Sequence, residues 1–61
     1  MIRELRKRAK MSQKAVAEYL GIHYTIYQRY EYGKRELPIH HALKLRELYK
    51  CTLDLIYGVG M

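Results

Sequence analysis

The chain has 61 residues, 12 of them basic and 6 acidic, so its formal net charge is +6. A chain of this length forms one small domain, without room for a second core or a deep catalytic cleft. It has neither a transmembrane apolar run nor a signal peptide, and its single cysteine fits a reducing cytoplasm. The positive charge favours a polyanionic partner, nucleic acid first and an anionic membrane surface second.

Helical hydrophobic spacing and capping residues predict an all-α chain. A compact five-helix bundle is expected as a single domain over 1–61, with helices at about 2–9, 13–20, 24–32, 39–50 and 53–57. Ile2, Leu5 and Ala9 share one face of the first helix. Ser12 is a favourable N-cap for the second helix. Pro38 suits the first turn of the fourth.

The second and third predicted helices form a helix-turn-helix pattern. Val16, Ala17 and Leu20 give the second helix an apolar face. Gly21 can adopt the positive φ that ends this helix and redirects the chain. Ile22 then fits into the angle between the helices. The third helix presents a polar side of the kind that enters a DNA major groove, made of Tyr24, Thr25, Gln28 and Arg29.

The spacing of potential metal ligands does not indicate a metal site. His40 and His41 are adjacent and point about 100° apart on a helix. The chain has neither C-x-x-C nor H-x-x-x-H spacing to join them to His23 or Cys51. Phosphate-binding glycine loops, paired carboxylates and a nucleophile–base arrangement are also missing from the sequence. We therefore expect no metal, no cofactor and no enzymatic activity.

Four passages of the chain resemble the Cro and phage-repressor (XRE-type) helix-turn-helix family. They are IRELR, MSQKAVAEYLGI, YTIYQRYEYGKRELP and CTLDLIYG, which occur in the family's order between Ile2 and Gly58. The resemblance implies a lambda repressor-like DNA-binding domain. It also implies a dimer on a two-fold operator, and it is strongest to small cytoplasmic prophage repressors.

The resemblance places base-reading residues at the start of the third helix and one turn later. These positions hold Tyr24, Thr25 and Arg29. Arg29 can bind guanine O6 and N7 bidentately, the alternative being a phosphate or solvent contact. Thr25 can bond a base edge or meet a thymine methyl, and Tyr24 can contact a base edge or a phosphate. Gln28 faces the same side and is a further candidate.

Phosphate contacts are implied on both sides of the third helix. Gln13 opens the second helix, where the family bonds a phosphate through the side chain and the free N–H groups of the helix end. Lys34 and Arg35 follow the third helix and can clamp the same backbone. Tyr32 replaces a polar or basic residue common in the family, and its hydroxyl can still donate to a phosphate. The alternative for each is a solvated surface residue.

Arg6 and Glu31 occupy the positions where the family forms an ion pair between the first helix and the end of the third. If the pair is buried, loss of one partner costs ~3–5 kcal/mol. Two exposed charges would contribute less than ~1 kcal/mol. We expect the buried pair, which makes Glu31 a structural residue and not a DNA contact.

These patterns predict sequence-specific binding of double-stranded DNA by a transcriptional regulator of the prophage-repressor kind, acting on a palindromic operator. A homodimer would use the apolar last helix and tail, through Leu55, Tyr57, Val59 and Met61. One alternative is an antitoxin or protein-interaction module that autoregulates its operon. Another is a basic amphipathic peptide at a membrane surface, which the interrupted helices disfavour.

Overall fold

The computed structural model describes residues 2–58, and every regular element in that part of the chain is a helix. In chain order the helices are α1 (Ile2–Arg8), α2 (Gln13–Leu20), α3 (Tyr24–Glu31), α4 (Ile39–Tyr49) and α5 (Leu53–Tyr57). The predicted all-α fold class, five short helices with a helix-turn-helix, is confirmed.

Apolar side chains from all five helices meet in one core. Its buried members are Ile2, Leu5, Val16, Ala17, Leu20, Tyr27, Tyr30, Ala42, Leu45 and Ile56. The removal of this apolar surface from water is the main stabilising contribution in a fold without disulfide or metal. Ala17 and Ala42 are at most 1% exposed, and their small side chains let the helix backbones approach one another closely.

A tyrosine fills the centre of this core. Tyr27 of α3 is 0% exposed, and its hydroxyl lies 3.0 Å from the hydroxyl of Tyr49 at the end of α4. A buried hydroxyl without a partner would cost free energy, so Tyr49 makes the aromatic residue acceptable at this position. Burial, followed by the bond to Tyr49, raises the pKa of Tyr27 and keeps it neutral.

Both ends of α2 are capped as its sequence predicts. The Ser12 hydroxyl accepts a hydrogen bond from the Ala15 N–H at 3.0 Å. At the other end Gly21 has a φ of 75°, and the Ile22 N–H donates to the Ala17 carbonyl at 3.0 Å. This left-handed residue and the bond across it end the helix and start the turn toward α3.

We expect Gly21→Ala to lower the free energy of unfolding by about 1–2 kcal/mol, the cost of a left-handed conformation for a residue with a Cβ. No atom lies within 4 Å of a Cβ built at Gly21, so the loss comes from the backbone alone. Thermal melting measures the effect. Gly21→Asn is the control, because asparagine tolerates this conformation and should recover part of the loss. Equal melting temperatures for wild type and Gly21→Ala would contradict the argument.

Several helix ends differ from the predicted ones by one residue. The last helical residues are Arg8, Glu31 and Tyr49, where residues 9, 32 and 50 were expected. Ala9 was predicted on the apolar face of α1 and is instead exposed outside the helix. Lys10 turns the chain with a φ of 58°, and it is Met11 that packs against the core. Pro38 is the N-cap of α4, one position before its first turn.

Candidate nucleic-acid interface

The orientation of α3 is set by its two buried tyrosines. Tyr27 and Tyr30 face the core, so the opposite side of the helix is turned outward. Tyr24 is 41% exposed, Arg29 is exposed and Thr25 is half-buried. Within residues 2–58 the Arg29 side chain forms no hydrogen bond or ion pair. Its guanidinium therefore keeps all its donors for an external acceptor.

His23 holds the first turn of α3. Its Nδ1 accepts a hydrogen bond from the Thr25 N–H at 3.3 Å, so the ring proton is on Nε2. The Thr25 hydroxyl lies 2.9 Å from the same Nδ1 and is the donor of that contact. Thr25 thus keeps its acceptor lone pairs and its methyl group. The His23 ring stacks on Tyr24 at a centroid distance of 4.8 Å, which orients the tyrosine.

An ion pair joins α1 to the C-terminal end of α3. Arg6 Nε lies 2.6 Å from Glu31 Oε2, and Arg6 Nη2 lies 3.4 Å from Oε1. The Glu31 side chain is 0% exposed and that of Arg6 13% exposed. A third donor, Arg6 Nη1, bonds the Met11 carbonyl at 3.0 Å. The structure thus brings Arg6 and Glu31 together in a shielded, two-pronged contact that DNA does not reach.

The charge on Glu31 is maintained by its donors. Burial alone raises the pKa of this carboxyl, but hydrogen bonds from Arg6 and Gln13 and the positive charge of Arg6 outweigh it. The net result is a pKa below the ordinary value, so Glu31 is ionised at neutral pH. An ionised carboxylate offers only acceptor positions to its neighbours.

Two candidate DNA contacts are linked to this ion pair. Gln13, the first residue of α2, donates from Nε2 to Glu31 Oε1 at 2.9 Å. Gln28 of α3 donates from its own Nε2 to Gln13 Oε1 at 3.0 Å. Both glutamines are half-buried. The sequence analysis treated them as independent, because no sequence spacing indicates a contact between side chains on two different helices.

The segment after α3 carries the remaining candidates. Tyr32 caps the helix and is 58% exposed. Gly33 has a φ of 72°, and the Lys34 N–H donates to the Arg29 carbonyl at 2.9 Å, which ends α3. Lys34 and Arg35 are exposed, and neither side chain has a hydrogen-bond or ion-pair partner within residues 2–58. The tight turn at Gly33 places both cations next to the end of α3.

The described part of the chain offers no group of three His, Cys, Asp or Glu side chains that could hold a metal ion. His23 caps α3, and His41 Nδ1 lies 3.2 Å from the Tyr30 hydroxyl. Cys51 is half-buried against the core, and burial raises the pKa of its thiol. Over the same residues, no helix has the length and apolar character that a membrane crossing requires.

Apolar side chains are exposed on the last two helices. Leu55 and Tyr57 of α5 are 48% and 42% exposed, as a docking surface would need. Ile39 and Leu43, one turn apart on α4, are 55% and 40% exposed, and sequence reasoning did not single them out. The predicted tail contacts, Val59 and Met61, lie outside the described residues.

Two short helices joined by a glycine turn, the second with a free polar face, define a helix-turn-helix protein. A family model described as Helix-turn-helix matches residues 2–56, nearly the whole chain. The chain belongs to this XRE-type helix-turn-helix family, as its sequence motifs indicated.

The chain is also similar to a curated protein, the uncharacterised HTH-type transcriptional regulator YobD of Bacillus subtilis (strain 168). The two are 33% identical over 58 residues, which cover 95% of this chain and 52% of that protein. The chain thus spans about half the length of this relative. No solved structure matches the chain. Family and relative together support a DNA-binding role in transcription regulation.

Proposed function

We propose that this protein binds specific sequences of double-stranded DNA by inserting the N-terminal half of α3 into the major groove. The observation that carries the proposal is the exposed face of α3, where Arg29 has every side-chain donor free beside the oriented Tyr24 and Thr25. Core packing, the His23 cap and the ion pair at Glu31 hold this face rigid. Rigid placement matters because base readout depends on the position of a few side-chain atoms.

Base and phosphate contacts are divided between the two halves of this surface. Arg29 would read a guanine bidentately, with Thr25, Tyr24 and Gln28 on neighbouring base edges or methyl groups. Phosphate contacts, which set the register of the protein on DNA, would come from Gln13, Tyr32, Lys34 and Arg35. The net charge of +6 adds attraction that does not depend on sequence.

The functional unit we propose is a homodimer acting as a prophage-type repressor in the cytoplasm, bound to the nucleoid. Two α3 helices about 34–36 Å apart would meet successive major grooves of a palindromic operator. The exposed Leu55 and Tyr57 support α5 as the dimer surface, continued by Val59 and Met61. The same exposed side chains also support the second candidate, an antitoxin whose partner covers α5 and which represses its own operon.

Selection of random double-stranded oligonucleotides with the purified protein tests the proposal. We expect a palindromic consensus whose half-sites are separated by about one helical turn. Enrichment of a single half-site would retain DNA recognition and remove the dimer. Enrichment without any preferred sequence would contradict specific binding. A co-purifying protein that masks Leu55 and Tyr57 would favour the antitoxin.

Lys34→Ala and Arg35→Ala are each expected to weaken binding to all sequences and to reduce its salt dependence. Each lost phosphate contact lowers the slope of log K against log salt by about 0.9, or about 1.8 for a symmetric dimer. DNA titrations at several salt concentrations measure the slope. Lys44→Ala removes the same charge from an exposed position on α4 and is the matched control. Slopes that change equally in all three variants would contradict specific phosphate contacts at Lys34 and Arg35.

A further inference from the structure

Four polar side chains form a continuous line from the interior of the protein to the proposed DNA surface. Arg6 donates to Glu31, Gln13 donates to Glu31, and Gln28 donates to Gln13. The three contacts measure 2.6, 2.9 and 3.0 Å. The line crosses from α1 to α3, from α3 to α2, and back from α2 to α3. It begins at a carboxylate that is 0% exposed and ends at a half-buried amide.

The chemistry of the line permits only one orientation of each amide. The Glu31 carboxylate has no hydrogen to give, so the Gln13 atom that meets it must be the NH₂ group. The carbonyl oxygen of Gln13 is then directed to Gln28, and an oxygen there can be met only by the Gln28 NH₂ group. The buried negative charge therefore sets the direction of both glutamine amides.

This orientation defines what Gln28 can offer to DNA. One of its two N–H groups is used by Gln13, which leaves one N–H and the carbonyl oxygen. A donor and an acceptor on one amide match the N7 acceptor and the N6 donor that adenine presents in the major groove. Without Gln13, the Gln28 amide could rotate and present either atom.

We propose that Gln13 is a positioning residue for base recognition, which holds the Gln28 amide in the orientation that reads an adenine. This rests on the proposed function, and it assigns Gln13 a second role beside its proposed phosphate contact. Glu31 acts further back in the same line, as the acceptor that orients Gln13. Base preference at one position of the operator is thus connected to the ion pair that holds α1 against α3.

The test compares base preferences of purified variants, measured by competition between oligonucleotides that differ at a single base pair. Gln28→Ala identifies the position at which Gln28 reads DNA. Gln13→Met keeps the length of the side chain and removes both its donor and its acceptor. Lys34→Met is the matched control, since it removes a proposed phosphate contact that lies outside the line. Thermal melting of each variant shows that it is folded.

We expect Gln13→Met to reduce the adenine preference at the Gln28 position by about 5-fold or more, the lower end of what a bidentate base contact provides. Gln28→Ala should remove the same preference, and the double variant should lose no more than either one. Lys34→Met should weaken binding to every sequence and leave the preference intact. Gln13→Asn, whose amide is one methylene shorter and cannot span both neighbours, is the second variant and should behave like Gln13→Met.

Two results would overturn the inference while the proposed function stands. One is a Gln13→Met protein that weakens binding uniformly and keeps the adenine preference, as the Lys34 control does. The other is a Gln28→Ala protein with the wild-type preference at every position. A wild-type protein that shows no preference at any base pair is a different result, since it would overturn specific DNA binding itself.

Discussion

Glu31→Ala is expected to lower the free energy of unfolding by about 3–5 kcal/mol, because it leaves the shielded Arg6 guanidinium without its charge partner. The Arg6 side chain is only 13% exposed, so water replaces the lost carboxylate poorly. Gln13 also loses its acceptor. Since 1 kcal/mol corresponds to roughly 4–8 °C in a domain of this size, we expect the melting temperature to fall by more than about 12 °C.

Glu47→Ala is the matched control, because it removes the same side chain from an exposed position on α4. We expect it to change stability by less than about 0.5 kcal/mol. Equal melting temperatures for Glu31→Ala and wild type would mean that the ion pair contributes nothing to the fold.

Acid titration should reveal the same carboxylate. The pKa of Glu31 in the folded state is lowered from its ordinary value of 4.5, so its contribution to stability is complete above that pH. The contribution is lost as the pH falls through the lower folded-state pKa. The difference in stability between wild type and Glu31→Ala should therefore be constant near neutral pH and shrink below about pH 4.5. A difference that grows on acidification would contradict the sign of the shift.

Arg29→Ala is expected to remove one guanine preference from the selected consensus, a loss of about 1–3 kcal/mol in discrimination at that base pair. The reason is that the free guanidinium is the one long, rigid, bidentate donor on the exposed face of α3. Selection and competition binding on the wild-type consensus measure the effect. Other positions of the consensus should keep their preferences, because the His23 cap and the core contacts of α3 do not involve this side chain.

Arg46→Ala provides the control for charge. It removes one positive charge from an exposed residue of α4, so both variants lose the same long-range attraction. We expect it to weaken binding slightly at every sequence without changing the consensus. If Arg29→Ala behaves in the same way, Arg29 contacts a phosphate or solvent, and another residue of α3 reads the bases.

The arrangement of helices could be derived from the sequence because its signals are local. Apolar spacing marked the helices, Ser12 marked the start of α2, and Gly21 and Gly33 marked turns in which φ is positive. The errors lie at helix ends, where one residue more or less changes the energy little. Ala9 was misplaced because a helical face continues on paper after Lys10 has already turned the chain.

The sequence by itself determined the helix-turn-helix, the basic surface and the candidate residues on α3, since each depends on residue types at short spacing. Only the tertiary structure decided which candidates contact one another. Gln13 and Gln28 are 15 residues apart, and Arg6 and Glu31 are 25 apart. Whether such side chains meet depends on the packing of three helices around the buried Tyr27, and that packing is a property of the whole core.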